Sequence, residues 1–325
     1  PGSERCLGMT DPEGRSCPLA YRYNPASLCQ DASQVSEDVL YIVGGLYGNP
    51  YALDEIEQMA FAEERRGNRV KLVFNGDFNW FNASDSLFRD INNRVLGHTA
   101  SLGNVEYELA KASSGAGCGC AYPDYVDQGT VERSNRIMER LQGVAEQHPD
   151  IQERLSLLPK YRCLMFGGLK VLVLHGDPES LAGWGLAHES FGAGNELIVR
   201  EWLRATGADV IACTHTCLPL LWSAQFQNQA RVVVNNGSAG MGNLREDPRG
   251  LITRIALQPP GTQPVAGFEQ RGVHISLLPV AFDTDAWVSL FDELWPAGSD
   301  AATSYRQRIL HGTSLTHEAL FPGLT

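Results

Sequence analysis

Asp77, Asn104, His175 and His215 sit in four short loops: Asn75-Gly76-Asp77-Phe78, Gly103-Asn104-Val105-Glu106, His175-Gly176-Asp177 and Thr214-His215-Thr216-Cys217. Each loop offers a small oxygen or nitrogen donor beside glycine or threonine. A carboxylate, a carboxamide and two imidazoles combine hard oxygens with borderline nitrogens. That mixture suits Mn, Fe, Zn or Ni better than Ca or Mg. A divalent ion so held would act as a Lewis acid and draw the pKa of its water toward about 7. Taken singly, each residue has a plainer role. Asp77 and Asn104 could each cap a helix, and a lone histidine at a strand end is commonly hydrogen-bonded structure. Their shared context favours one metal site.

The elements that must deliver these loops are legible as periodicity. Residues 39–43 form a continuous apolar strand and 51–66 an amphipathic helix, with Ala52, Ile56, Met59 and Ala60 toward one face. Residues 70–74 are the next strand, 87–95 and 105–112 are helical, and 115–128 is a loop. A polar-faced helix covers 129–146, with Thr130 as its candidate cap. Strands 161–165 and 169–174 form a hairpin through Phe166-Gly167-Gly168. A helix over 195–206 ends at Gly207, and short strands follow at 210–213, 220–222, 232–234, 251–257 and 273–280. Helices close the chain at 285–294 and 301–310. Three of the four loops directly follow an apolar run, and the fourth follows Val95-Leu96-Gly97. Mostly parallel sheets with outer helices collect ligands beyond the carboxyl ends of their strands. Distant donors would converge there.

Composition narrows the function classes. The 325 residues are 43% hydrophobic, ample for a large core, and the net charge is −12. That balance argues against a nucleic-acid-binding surface, which needs clustered Lys and Arg. No apolar run approaches a membrane span and no secretory pattern is evident, so a cytoplasmic enzyme is the expectation. Pro1-Gly2-Ser3 reads as a cloning remnant, with Met9 a plausible start. The eight cysteines do not read as a disulfide scaffold. Cys163 reads as buried, whereas Cys118 and Cys120 lie in a Gly/Ser/Ala loop where thiols can be exposed. That loop is a flexible connection, a lid, or a redox or metal pair. His188 reads as a surface-helix residue that could reach the pocket.

The loops, in order, resemble the signature of the calcineurin-like metallophosphoesterase superfamily: D-x-H, G-D, G-N-H-[D/E], H and G-H-x-H. Tyr47-Gly48-Asn49-Pro50-Tyr51-Ala52-Leu53 is similar to the family's H-G-N-x-x-A-L, and Asn236-Gly237-Ser238 to its N-P-G-S. The resemblance spans roughly residues 39–240. It implies an α/β fold, a four-layer α/β/β/α sandwich of two mixed sheets. It also implies that Asp77 would bridge two metals and that Asn104, His175 and His215 would hold one of them.

The other metal's ligands are altered. Gly45, Tyr47 and Cys217 stand where the resemblance implies the D-x-H pair and the last histidine, and Val105 stands where many members carry a catalytic histidine. Glycine supplies no ligand. Tyrosine and cysteine ligate when deprotonated. Three readings stay open: Tyr47 facing substrate at a one-metal site, Tyr47 and Cys217 rebuilding a second site, or both packing vacated space. All three substitutions fall on one site, which favours a single ion.

The expectation is therefore a metal-dependent phosphoric ester hydrolase acting on a small phosphorylated substrate, monoester or diester, through metal-activated water. Tyr47 and Asn104 are its candidate catalytic residues. Asp77, Asn104, His175, His215 and Cys217 are its candidate metal ligands, and one Mn, Fe, Zn or Ni ion is favoured over two. The alternatives are a degenerate fold that binds a ligand or partner, and an enzyme of changed chemistry. The organisation expected is an irregular arm over 1–36, the main domain over 37–283 and a helical tail over 284–325 packed on it.

Overall fold

The structure, a computed structural model, describes residues 13–192, 194–227 and 229–322. The start of the arm, with Cys6 and Met9, and the proposed remnant at Pro1 lie outside them. The chain runs β1 (Ser33–Gln34), β2 (Val39–Val43), α1 (Pro50–Glu64), β3 (Val70–Asn75), α2 (Asp85–Val95), β4 (Thr99–Ser101), α3 (Asn104–Ala110), α4 (Gln128–Ala145) and α5 (Pro149–Ser156). It continues through β5 (Tyr161–Phe166), β6 (Leu169–Leu174), α6 (Leu197–Thr206), β7 (Val210–Cys213), β8 (Leu220–Phe226), β9 (Gln229–Asn235), β10 (Gly250–Ala256), β11 (Ala266–Gln270) and β12 (Val273–Val280). It closes with α7 (Thr284–Leu294) and α8 (Asp300–His311).

Two six-stranded sheets form, in the orders β11-β12-β10-β2-β3-β4 and β1-β5-β6-β7-β9-β8. Both are mixed: β2, β3 and β4 run parallel, as do β6, β7 and β9, while β10 and β8 pair antiparallel to their neighbours. Strand alternation explains the layers. Leu40 and Ile42 of β2 pack with Val171 and Val173 of β6 between the sheets. Val39, Tyr41 and Val43 point the other way, into a core shared with α1, α2, α4, α7 and α8. Leu172, Leu174 and Ile211 cover the outer side of the second sheet against α6. The result is an α/β/β/α sandwich. Each fully buried Leu, Ile, Val or Phe in these layers contributes about 1.5–3 kcal/mol.

Four elements escape the periodicity reading. β1 is two residues long and β4 three, α5 has eight residues, and the exposed face of β11 carries little apolar pattern. The arm is less irregular than its composition implies. It contains 3-10 turns at Leu19–Tyr21 and Pro25–Ser27, and β1 pairs in parallel with β5. Buried Tyr21 donates to Glu108 Oε1 at 2.5 Å, which ties the arm to α3. No helix among the described residues is long and apolar enough to cross a membrane.

Local chemistry sets the loops that matter. Asn49 caps α1 by accepting from Tyr51 N and Ala52 N, and Pro50 opens the helix without wasting a donor. The turn between β2 and α1 is thereby fixed, and it carries Tyr47. The fourth loop follows β4, not Val95-Leu96-Gly97, which ends α2. All four loops thus leave the carboxyl ends of strands β3, β4, β6 and β7.

Candidate metal centre

Glycines allow these loops to close on one another. A Cβ at Gly103 would stand 2.3 Å from Asp77 Oδ1 and 2.9 Å from His175 Cε1, so no side chain fits there. Asp77 holds φ +54°, Tyr47 +53° and Cys217 +59°. Three side-chain-bearing residues in the left-handed region at one place mark backbone strain of the kind that clusters at functional sites.

Glu106 holds the Asp77 turn. Its buried carboxylate accepts from Asp77 N at 2.7 Å, Phe78 N at 3.0 Å, Asn79 N at 3.2 Å and Gly103 N at 3.1 Å. Burial, and then the charge of Asp77, push Glu106 up to about 7 against the pull of those donors. Glu106 was legible as the fourth residue of its loop, at the spacing from which an acid reaches back to a helix cap, yet its role went unread.

The four proposed ligands meet. His175 Nδ1 lies 2.9 Å from the Asn75 carbonyl, which can only accept, so that nitrogen carries the hydrogen. His175 Nε2 then stands 3.1 Å from His215 Nδ1, 3.2 Å from Asn104 Oδ1 and 3.3 Å from Asp77 Oδ2. His215 Nε2 donates to the Cys120 carbonyl at 3.0 Å, which leaves Nδ1 as its acceptor. Asn104 Nδ2 donates to the Cys118 carbonyl at 3.0 Å, which turns Oδ1 inward. Ligand atoms of Asp77, His175 and His215 all fall within 4.8 Å of one another, and all three residues are buried.

Such crowding of buried acceptors demands positive charge. Burial opposes charge on both Asp77 and His175, but their mutual attraction prevails: the Asp77 carboxyl falls below its usual range and His175 rises above its own. A proton or a divalent ion satisfies the demand. Burial, with His175 beside it, pushes His215 down to about 3, so its imidazole is neutral, the form that ligates. The donor set therefore fits a divalent transition ion.

Tyr47 and Cys217 also come together, near enough to Asp77 to feel its charge. Tyr47 Oη lies 2.7 Å from Cys217 Sγ. A Cβ at Gly45 would meet Tyr47 Cε2 at 3.0 Å and its hydroxyl at 3.2 Å, so the tyrosine ring fills the space a residue-45 side chain would use. Burial pushes both the Tyr47 hydroxyl and the Cys217 thiol up. Cys217 Sγ also reaches its neighbour's carbonyl, that of His215, at 3.2 Å.

A cavity of about 320 Å³ opens onto Asp77, Asn104, His215, Tyr47 and Cys217. Its far walls come from α4 and α8, which supply Arg133, Tyr305 and Arg308, together with Trp80 and Trp184. Nothing in the sequence pattern joins these residues; tertiary packing does. Cys118 and Cys120 are buried and bonded to each other rather than exposed, because the loop folds inward and spends its carbonyls on Asn104 and His215. Trp184 Nε1 donates to the same Cys120 carbonyl at 2.9 Å. His188 does not line the cavity; its Nε2 bonds the Pro219 carbonyl at 2.8 Å.

No protein-family model and no curated protein matches this chain. Solved structures do. A metallophosphoesterase from Sphaerobacter thermophilus aligns at 14% identity and TM-score 0.53, over 87% of this chain and 100% of its own. A hypothetical protein from Pyrococcus horikoshii aligns at 13% identity and TM-score 0.58, over 85% of this chain and 99% of its own. Identities this low speak for the fold. The layered sandwich expected from the loop resemblance is the fold observed.

Proposed function

Because this chain has the calcineurin-like metallophosphoesterase fold, we propose that it is a metal-dependent phosphoric ester hydrolase working with one divalent transition ion. The carrying observation is the convergence of Asp77 Oδ2, Asn104 Oδ1, His175 Nε2 and His215 Nδ1, with three of the four side chains tied behind to backbone carbonyls. Ties of this kind orient ligands in metal sites and raise their basicity. An ion bound there would supply Lewis-acid polarisation of a phosphoryl oxygen and an acidified water.

The chain's own residues supply the rest. Asp77, with one oxygen toward His175 and the other 3.3 Å from Val105 N, is held so that its charge faces the cavity. Asn104 adds a neutral oxygen and so leaves room for an anionic substrate. Tyr47, on the cavity wall, offers a phenol that donates to a substrate oxygen or to the leaving group. Cys217 orients that phenol and holds no ion in this reading. The substrate is a small phosphorylated molecule that fits the cavity.

The test is elemental analysis of the purified protein alongside turnover of p-nitrophenyl esters with Mn, Fe, Zn or Ni. His175→Ala should lose both bound metal and turnover. Unchanged metal content in that variant would refute the site. The closed Tyr47–Cys217 pair favours one second reading, a fold that binds a phosphorylated ligand without cleaving it. Saturable binding with no turnover under any of the four metals would decide for it.

A further inference from the structure

Two arginines face the cavity, Arg133 from α4 and Arg308 from α8. Their neighbours on the same helices show what an arginine does elsewhere in this acidic chain. Arg136 pairs with Asp300 at 2.6 Å, and Arg306 pairs with Asp292 at 2.8 Å. Among the described residues, no carboxylate pairs with Arg133 or Arg308. Arg133 instead touches neutral oxygens, Ser304 Oγ at 2.7 Å and Thr130 Oγ1 at 3.0 Å. Asp127, the acid that caps α4, is spent on Thr130, accepting from its N at 2.9 Å and its Oγ1 at 2.6 Å. Arg308 grips the carbonyls of Gly242 and Cys217 and braces the loop that carries Cys217. Arg133 is thus the half-buried cation left to meet an anion.

Aromatic rings line the remainder. Tyr305 meets Trp80 edge-on at 6.3 Å, and Tyr122, whose hydroxyl lies beside that of Tyr305, is 5.8 Å from Trp184. The polar tips of the second pair are already bound, Tyr122 to Ser134 Oγ at 3.0 Å and Trp184 to the Cys120 carbonyl. Their faces are therefore what they offer a ligand, and π-faces suit a flat ring.

We infer that the substrate is a phosphoester carrying a flat aromatic group and a second anionic group, the ring packing on the aromatic wall that Tyr305, Tyr122 and Trp184 form and the second anion on Arg133. This names the substrate class of the proposed hydrolase and rests on that reading for the position of the reacting phosphoryl group. Both an aryl ester bearing a carboxylate and a nucleoside diphosphate have this chemistry.

Binding is read by quenching of cavity tryptophan fluorescence in the metal-loaded protein, and turnover by release of phosphate from the three monoesters and of pyrophosphate from ADP, whose ester bond is at its α-phosphorus. The probes are ADP, 4-carboxyphenyl phosphate, phenyl phosphate and ribose 5-phosphate. ADP or 4-carboxyphenyl phosphate should bind at least about tenfold tighter than phenyl phosphate, which lacks the second anion, and tighter still than ribose 5-phosphate, which lacks both groups; about tenfold is the size expected of one charge-assisted contact. Whichever of the two binds tighter identifies the source of the ring. Arg133→Gln should erase the preference for the second anion, Tyr305→Leu should erase the preference for the ring, and Arg136→Gln on the same helix should change neither. Equal affinity for all four probes, or an Arg133→Gln protein with an intact preference, would overturn the inference. Selective binding without release of phosphate or pyrophosphate upholds the inference and removes the hydrolase reading. Release without selectivity does the reverse.

Discussion

Tyr47 Oη sits 2.7 Å from Cys217 Sγ, and the tyrosine ring occupies the space above Gly45. The three positions where the resemblance implies ligands for another ion have thus become one packed unit: an absent side chain, the ring that replaces it, and the thiol that holds the ring. A second ion would have to displace that ring. We therefore expect about one ion per chain by elemental analysis. Tyr47→Phe should leave that count unchanged, because the ring still fills the space. Two ions in the wild type and one in Tyr47→Phe would mean that the phenol is a ligand and that the packing argument is mistaken.

Binding to the folded state alone stabilises it. At a free ion concentration of 100 times Kd the gain is about 2.7 kcal/mol. Thermal unfolding with added Mn or Zn should accordingly shift upward, and chelation should reverse the shift. His215→Ala should abolish the metal-dependent part of the shift and melt somewhat below the chelated wild type even without metal. That direction follows from losing a buried ring that packs against Trp184 and donates to the Cys120 carbonyl. A metal-dependent shift of full size in His215→Ala would place the ion elsewhere.

The residues of this candidate site could be singled out from the sequence alone. Asp77, Asn104, His175 and His215 could be picked out because short polar loops interrupt apolar runs, three of the donors standing beside a glycine and His215 between two threonines. The sheets were legible for the same reason: fully buried strands such as β6 and β7 read as continuous apolar runs. What stayed hidden is what only tertiary packing creates. β4 and β1 are too short for periodicity to register. Glu106 looks like any acid in the first turn of a helix until the Asp77 turn folds onto it. Arg133 and Tyr305 lie far apart in sequence, and no spacing rule joins α4 to α8. For Cys118 and Cys120 the sequence left a flexible connection, a lid and a redox or metal pair open, because a glycine-rich stretch gives no periodicity; the fold bonds the two cysteines and packs their backbone against Asn104 and His215.

A buried ion pair offers a test of the fold away from the site. Arg254 Nε lies 2.8 Å from Glu63 Oε1, with side-chain exposures of 1% and 5%. Removing one partner strands a buried charge, at a cost of about 3–5 kcal/mol. Glu63→Met should therefore lower unfolding stability by that order. Adding Arg254→Leu to it should recover much of the loss, because the pair's desolvation cost goes with it. Denaturant unfolding of the two variants measures the difference. A double variant as unstable as the single one would show that packing around β10 and α1, rather than the stranded charge, sets the cost.

Glu106 links the fold to the chemistry, and its replacement should damage both. Its carboxylate takes hydrogen bonds from the backbone of Asp77, Phe78, Asn79 and Gly103. In Glu106→Gln one of its two oxygens becomes an NH₂ group facing N–H donors. A buried donor left unpaired costs about 1–3 kcal/mol, and bonds to a charged group contribute about 1.5–3 kcal/mol each. The expected loss of unfolding stability is about 3 kcal/mol, read as a lower urea midpoint at constant m-value. The Asp77 turn, with φ at +54°, loses the clamp that holds it. Metal affinity should fall by about 10–100-fold, the range seen when a ligand's supporting partner is removed. Glu106→Asp, which keeps both acceptors on a shorter arm, should fall between the two in metal affinity. A Glu106→Gln protein with wild-type metal affinity would mean that Asp77 is held by its other contacts, Val105 N and His175, without the clamp.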